Sequence, residues 1–340
     1  MKNKLLLAVA INTSFLMGCT SISENFVKYQ PVSMQKADIM PSKGELSGKK
    51  VKIVLFEPGD GSINMAKKAK VGHSISSRLE KYLAEAGAET VDRKIASKLK
   101  SELKLAESKG LSEYQGPDIA DYAVNGEITN AVVGATFTKR SVYVSSDGKR
   151  YVTPAYCRYS ANITGNMKVY ALPALTYTKT ISIEGYASFK SETSNSRCPI
   201  SKSSQYSLLR SAAENSVKHS RIEFQSFLAP KAYVLEHRMF DGDSIFKISA
   251  GSGLGFKADS GVEFFTKTKN TNALTGETSI ETYPVSGGEV VKGLVSPNYS
   301  WVTIDDKEKA LTIKLGDLVK LHFQKGFLEG ALDGLNNVLK

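Results

Sequence analysis

Val51-Lys52-Ile53-Val54-Leu55-Phe56 is the stretch that decides the fold, because it is a short apolar run, rich in β-branched residues, that is ended by Pro58-Gly59. An apolar run bounded by turn residues predicts a buried β-strand. Apolar residues then recur at helical spacing from Val71 to Ala86, and Gly87 follows, which predicts an amphipathic helix and its end. Glu89–Val91 predicts a short second strand. This alternation of strand and helix predicts an α/β unit.

The pattern continues to about residue 229. A leucine-rich helix around Leu99 and Leu103, three strands and a third helix are predicted, the last four at Tyr122–Val133, Ile163–Leu172, Tyr177–Phe189 and Leu208–Leu228. Apolar residues fall mainly on one face of the strand Tyr177–Phe189, as expected for a sheet with one buried face. Asp147-Gly148 is a strong turn signal inside the insertion between Gly134 and Asn162. We therefore predict an α/β sandwich domain over residues 49–229 with two hairpin insertions.

Beyond Pro230 the sequence consists of short apolar runs separated by glycines. Six strands are predicted, at Ser244–Ser249, Gly261–Thr268, Glu289–Val295, Trp301–Ile304, Ala310–Ile313 and Leu318–Phe323. Such a series predicts a small all-β, barrel-like module over residues 230–324. An apolar stripe predicts a C-terminal helix over residues 325–340. The expected fold class is α+β: the α/β sandwich domain, then the β module and the terminal helix.

The first residues predict export. Lys2 and Lys4 precede an apolar run that ends at Gly18-Cys19, which is typical of a signal peptide, here residues 1–18. Leu16-Met17-Gly18-Cys19 resembles the lipobox of bacterial lipoproteins, and the resemblance implies that Cys19 is acylated. Thr20 in the next position implies sorting to the outer membrane, at its periplasmic face. Ordinary signal cleavage beside an incidental cysteine is the alternative. Residues 19–48 are predicted to be the lipid anchor and a linker or extended arm.

Charge and cysteine content limit the partners. The 340-residue chain has a formal charge of +11. Its lysines are spread without a basic block, and export argues against nucleic acid, so we expect a solvated surface that tolerates anionic lipid headgroups. Of the three cysteines, Cys157 and Cys198 remain once Cys19 carries lipid. In an oxidising compartment they predict a disulfide, with two buried free thiols as the alternative.

Patterns for catalysis or cofactor binding are weak. The four histidines are far apart, with no partner at metal-ligand spacing, so we expect neither a metal site nor a cofactor. A dinucleotide site needs its glycine loop to open a helix, whereas Gly251-Ser252-Gly253-Leu254-Gly255 leads to another strand and predicts a turn. There is no Gly-x-Ser-x-Gly nucleophile elbow in the sequence. We predict that the protein is not an enzyme.

Several weak motifs in a fixed order resemble the CsgG family of curli secretion lipoproteins. They are Val51–Phe56, the helix Ile75–Leu83, Val91-Asp92-Arg93, Ala120–Ile128 and Ala212-Ala213-Glu214. The β module resembles the terminal module of flagellar H-ring proteins of the FlgT type, through Gly251-Ser252, Gly255-Phe256-Lys257 and Leu315–Lys320. Such a module is not part of the curli proteins themselves.

The resemblance implies a homo-oligomeric ring at the outer membrane, each subunit being secured by its lipid. It also implies that hairpins near residues 132–162 and 177–206 form a transmembrane channel, which the loop Glu57–Lys70 narrows. Ile63, Asn64 and Met65 take the place of channel-lining residues in that loop, and a plain solvent-exposed loop is the alternative.

The first insertion argues against lipid contact. A membrane strand needs about 9–11 residues of alternating character, and this insertion is interrupted by Lys139, Arg140, Lys149, Arg150 and Arg158. An open periplasmic ring is therefore slightly favoured over a pore. The expected function is secretion or assembly of a surface structure, with unidentified secreted or structural protein partners. Two alternatives stay open: a non-channel scaffold around an envelope machine such as the flagellar basal body, and a periplasmic binding protein.

Overall fold

A computed structural model of the chain describes residues 22–91, 120–174 and 176–323. The signal peptide, Cys19, the helix expected around Leu99 and the C-terminal helix 325–340 lie outside the described residues. The helices are α1 (Ile22–Asn25), α2 (Lys43–Leu46), α3 (Asn64–Ala69), α4 (Val71–Glu85) and α5 (Lys202–Leu228). The strands are β1 (Gln30–Val32), β2 (Lys52–Leu55), β3 (Glu89–Thr90), β4 (Tyr122–Thr138), β5 (Ser141–Val144), β6 (Arg150–Thr153), β7 (Tyr156–Ala171), β8 (Thr176–Glu192), β9 (Lys231–Phe240), β10 (Asp243–Ile248), β11 (Gly261–Thr271), β12 (Thr278–Val295), β13 (Ser300–Thr303) and β14 (Leu318–Leu321).

The first unit is a five-stranded sheet of order β3-β2-β4-β7-β8, in which β2 runs parallel to β3 and β4 while β4, β7 and β8 are antiparallel. Alternate residues of β7 and β8, among them Ile163, Met167 and Ile181, are fully buried in a core that includes residues of α4 and α5. The amide of Gln225 on α5 donates to the carbonyl of Tyr82 at 3.0 Å and joins the two helices. The mixed α/β character is as predicted; that the sheet and helices form a CsgG-like sandwich stays a prediction.

Helix α5 lies unusually close to the sheet. A Cβ atom at Gly185 of β8 would lie 2.0 Å from the carbonyl oxygen of Ala212 and 2.4 Å from the amide nitrogen of Ser216. Ala212, Ala213 and Ser216 are all fully buried on this face of the helix. Small residues on both sides therefore bring the helix backbone against the strand.

The second unit is a closed six-stranded antiparallel barrel, because β9 pairs with both β10 and β14 at the ends of the strand series β10-β13-β12-β11-β14. Phe246, Phe256 and Phe264 fill its interior. The barrel-like module is therefore confirmed, although β9 was not predicted. The predicted strand Ala310–Ile313 is wrong: Lys307–Thr312 forms a 3-10 helix. Its first turn is capped by Asp306, and Ala310 and Ile313 are buried in the barrel core.

Residues 22–48, expected as a linker or extended arm, are packed against the barrel. Strand β1 pairs with β9 in the register Gln30↔Met239 to Val32↔His237. The hydroxyl of the buried Tyr233 donates to Glu45 of helix α2 at 2.7 Å. We call residues 22–48 the arm; it packs against the outside of the barrel, so these residues are not a free linker.

The glycine segment 251–255 contains a 3-10 turn, Ser252–Leu254, as the turn prediction required. A Cβ atom at Gly251 would lie 1.9 Å from the carbonyl oxygen of Ser296, and one at Gly87 would lie 2.4 Å from that of Leu254. The glycines therefore allow backbones to meet, within the barrel and between its turn and the end of α4.

Candidate interaction surface

Strands β5 and β6 form a separate two-stranded hairpin beyond the end of the long sheet. They pair from Ser141↔Thr153 to Val144↔Arg150, and all eight residues of these two strands are exposed. The five large apolar side chains of this hairpin are exposed by 42% to 66%; they are Val142, Tyr143, Val144, Tyr151 and Val152. We call residues 141–153 the exposed hairpin.

The turn of the exposed hairpin is built by local hydrogen bonds. The amide of Gly148, at φ 81°, donates to the carbonyl of Ser145 at 2.9 Å. The ammonium of Lys149 lies 3.0 Å from the carboxylate of Asp147. A hydrogen bond from the hydroxyl of Ser145, with further help from Lys149, lowers the pKa of Asp147. The tip is thus polar and the apolar side chains form a band behind it.

The two faces of this hairpin carry different pairs. Val142 faces Val152 across the strands, and Tyr143 faces Tyr151 on the opposite side with ring centroids 6.4 Å apart. Such cross-strand pairs stabilise a hairpin by less than about 1 kcal/mol each, and an isolated two-stranded hairpin is marginally stable in water. Contiguous exposed apolar side chains mark interaction sites. The geometry therefore fits a hairpin that is covered by another molecule.

A disulfide lies at the base of this region. Cys157 of β7 and Cys198 are bonded, with their Cα atoms 5.6 Å apart, as the sequence predicted. Both are buried, although the sequence around them is polar. The hydroxyl of Tyr159 donates to the carbonyl of Pro199 at 3.0 Å. The segment before α5 is thereby fixed against the inner face of the sheet.

The free edge of β8 is partly blocked by α5. Side chains of the helix donate to three successive outward-facing carbonyls: Asn215 to Tyr186 at 2.8 Å, His219 to Glu184 at 3.1 Å and Ser220 to Ser182 at 3.0 Å. Occupied edge groups hinder pairing with another strand. This part of the edge is therefore protected, and the exposed hairpin is the stronger candidate for a contact.

Two of the three predicted channel-lining residues, Asn64 and Met65, lie in a helix, and Ile63 precedes it. Helix α3 begins at Asn64, and its Ala66 is fully buried in the α/β core. Ile63 and Met65 are half-buried and pack against that core, whereas Asn64 is exposed. The expectation of a plain loop over Glu57–Lys70 is corrected, because a six-residue helix occupies its second half. A channel-lining role for these residues stays a prediction.

Across residues 22–91, 120–174 and 176–323, none of the helices has the length and apolar character needed to cross a membrane. In the same part of the chain, no three His, Cys, Asp or Glu side chains gather in a way that could hold a metal ion.

Comparisons with known proteins give weak likenesses. No family model matches the chain, and no curated protein matches it significantly. A putative neuraminyllactose-binding hemagglutinin homologue from Helicobacter pylori is 12% identical, with a TM-score of 0.30, 55% of this chain covered and 91% of that one. The PelC dodecamer from Paraburkholderia phytofirmans is 13% identical, with a TM-score of 0.20 and coverages of 54% and 95%. A minor lipoprotein from Acinetobacter baumannii is 9% identical, with a TM-score of 0.25 and coverages of 52% and 93%. Likeness at this level assigns neither family nor function.

Proposed function

We propose that this chain is a lipid-anchored outer-membrane protein whose copies assemble into a ring that serves secretion or assembly of a surface structure. The observation that carries the proposal is the exposed hairpin, whose apolar band is covered by nothing in its own chain among the described residues. The sequence pattern ending at Cys19 and the Cys157–Cys198 disulfide support export.

The shape of the contact favours a ring. A projecting hairpin is one feature of the surface, so it binds a different patch on its neighbour unless two hairpins meet on a two-fold axis. Such head-to-tail contacts close into rings when the rotation between subunits allows it. The proposed interface is therefore heterologous, with the Val142–Val152 face of the exposed hairpin buried against the next subunit.

A scaffold ring without a channel is the second candidate. The apolar band of the exposed hairpin is four residues long on β5, roughly 13 Å at about 3.3 Å per residue. Strands that cross a membrane need about 9–11 residues. Lys139-Arg140 and Lys149-Arg150 adjoin the band at its base and tip. This spacing of charges supports a contact with protein.

Electron microscopy of the detergent-extracted protein tests the proposal. We expect rings from the native chain and monomers from Val142→Asp combined with Val152→Asp. The matched control is Leu274→Asp with Ile280→Asp, because these residues are exposed by 95% and 60% on the β11–β12 hairpin of the barrel. Rings should persist in the control.

Monomeric native protein at micromolar concentration would refute the ring. Rings that survive the Val142 and Val152 substitutions would refute the exposed hairpin as its contact. Planar-bilayer recordings separate the two candidates, since stable single-channel steps support a pore and silence with intact rings supports the scaffold.

A further inference from the structure

The beginning of the arm covers an apolar patch on the outside of the barrel. Ile22 and Phe26 pack with Tyr29 against Ile245 and Trp301 on the barrel wall. The ring of Phe26 meets that of Trp301 edge-on at 5.0 Å. This contact fixes the first described residues of the chain to the barrel and not to the α/β domain.

Cations and aromatic rings alternate around that contact. The guanidinium of Arg238 lies 5.1 Å from the ring of Phe26 and 5.0 Å from that of Trp301. The ammonium of Lys28 lies 5.5 Å from the ring of Phe240. We call this the arm surface; it comprises Val27, Lys28, Arg238, Phe240, Lys247 and Tyr299.

The rest of the arm surface continues the same chemistry. The ammonium of Lys247 lies 4.3 Å from the ring of Tyr299, which is 38% exposed, and Val27 is 86% exposed. Two carboxylates in the neighbourhood have cationic partners: Glu236 lies 2.6 Å from Arg238, and Asp243 lies 2.5 Å from Lys307. Lys28 is exposed, whereas Arg238 and Lys247 are half-buried. Aromatic and basic residues in combination are the composition that favours a membrane interface.

The position of Cys19 in the sequence limits how far the arm can lie from the membrane that would hold the lipid. Cys19 precedes Ile22 by three residues. Consecutive Cα atoms are 3.8 Å apart, so three steps reach at most about 11 Å. If Cys19 carries lipid, the packed end of the arm is therefore held within roughly that distance of the headgroups.

We infer that the arm surface docks on anionic phospholipid headgroups of the membrane that holds the anchor, so that the barrel is the membrane-proximal unit. The inference rests on the acylation of Cys19 in the proposed function. Lipid is the occupant to which the short tether and the cationic charge both point. Because the arm is packed on the barrel, it then holds the barrel in a defined orientation relative to the membrane.

Trp301 is the single tryptophan of the chain, is 4% exposed and lies under Phe26, so it reports on this surface. The acylated protein is placed in vesicles of phosphatidylcholine and phosphatidylglycerol in equal parts, with a spin label on a fraction of the headgroups. We expect quenching of Trp301 fluorescence relative to vesicles without the label. An anchored protein with unquenched Trp301 would overturn the inference.

The charge requirement is tested without the anchor, using the mature chain with Cys19→Ser. It should bind vesicles rich in phosphatidylglycerol and release from them as salt rises. Lys28→Gln with Lys247→Gln should weaken this binding about 30-fold, at about 1 kcal/mol for each lysine. The matched control, Lys149→Gln with Arg150→Gln at the tip of the exposed hairpin, should bind like the parent.

The remaining outcomes of these experiments distinguish lipid docking from non-specific binding, from contact with a second copy and from failure of the proposed function. Equal loss in the control would make the binding non-specific and overturn the inference, as would the absence of binding. A concentration-dependent change of Trp301 emission without vesicles would assign the surface to a second copy, which also overturns it. Mass spectrometry of the mature N-terminus tests the anchor independently: an unmodified Cys19 would defeat the proposed function, while vesicle binding by the Cys19→Ser chain would still be measured.

Discussion

Loss of the Cys157–Cys198 disulfide should destabilise the α/β domain and leave the barrel unchanged. The bond closes a loop with a sequence separation of 41 residues. Chain-entropy closure of a loop of this length restricts the unfolded state by about 13 cal/mol/K, which is about 4 kcal/mol at 25 °C. Because Cys157 is fully buried, replacement of both cysteines by alanine also removes packing contacts. We therefore expect a loss of about 4 kcal/mol or slightly more in the free energy of unfolding of this domain.

The chain contains its own control for this measurement. Denaturant unfolding of Cys157→Ala with Cys198→Ala is followed by circular dichroism at the helix band, because the two longest helices of the described residues, α4 and α5, belong to the α/β domain. Fluorescence of Trp301 reports on the barrel. The first transition should move to lower denaturant while the second stays in place. A loss below about 1 kcal/mol, or an equal shift of both transitions, would refute the reasoning.

Two other substitutions test the packing and the protonation of the structure. Gly185→Ala should lower the free energy of unfolding by about 3 kcal/mol or more, because its Cβ atom would lie 2.0 Å from the backbone of α5. Gly134→Ala is the control and should be nearly neutral in the same denaturation assay, because its Cβ atom would lie 3.7 Å from Ser160. Burial lowers the pKa of His237, whose ring stacks on Phe246 at 4.4 Å. In the unfolded chain the pKa of a histidine is about 6.5, so the unfolded state binds the proton more readily than the folded state does. The contribution of His237 to stability is therefore complete above about pH 6.5. It is lost as the pH falls from there through the lower pKa of the folded state. His237→Gln should flatten this acid loss in the Trp301 transition, and an unchanged pH profile would contradict the assignment.

The α/β domain was predictable because its elements have strong local signals. The apolar run Val51–Phe56 contains strand β2, and the helical spacing from Val71 to Ala86 matches α4 within a residue. The beginning of α5 was predicted six residues late, at Leu208. Its signal was present, since Ser201 caps the helix by accepting a hydrogen bond from the amide of Ser204.

The barrel shows what local patterns miss. Strand β9 was not predicted because its apolar and polar residues do not alternate regularly. The strand pairs with β10, β14 and β1, so its buried and exposed positions do not repeat with period two. The short apolar run Ala310–Ile313 predicted a strand, yet the buried Ala310 lies in a 3-10 helix and the buried Ile313 follows it, while Leu311 is exposed. Burial alone does not fix the backbone conformation.

The candidate surfaces also contain features that the sequence predicted and features that it did not. The turn of the exposed hairpin was predictable from Asp147-Gly148, and the disulfide from the cysteine count. The pairing of β1 with β9 joins residues about 200 positions apart, and no sequence period encodes such a pairing. The helix at Asn64 was missed because six residues are too few for a clear period.

In the proposed membrane-bound ring, the arm would determine how the two surfaces are placed relative to the lipid on Cys19. A flexible linker over residues 20–48 would let the protein take any orientation above the membrane, and lateral contacts between copies would then lose orientational entropy on assembly. An arm that pairs with β9 and packs on Trp301 removes that freedom in advance. Copies held in one orientation in one plane meet with an exposed hairpin at the same height on each. Head-to-tail closure would then need only translation and rotation within the plane, so a packed arm and a projecting hairpin are complementary features of the ring that we propose.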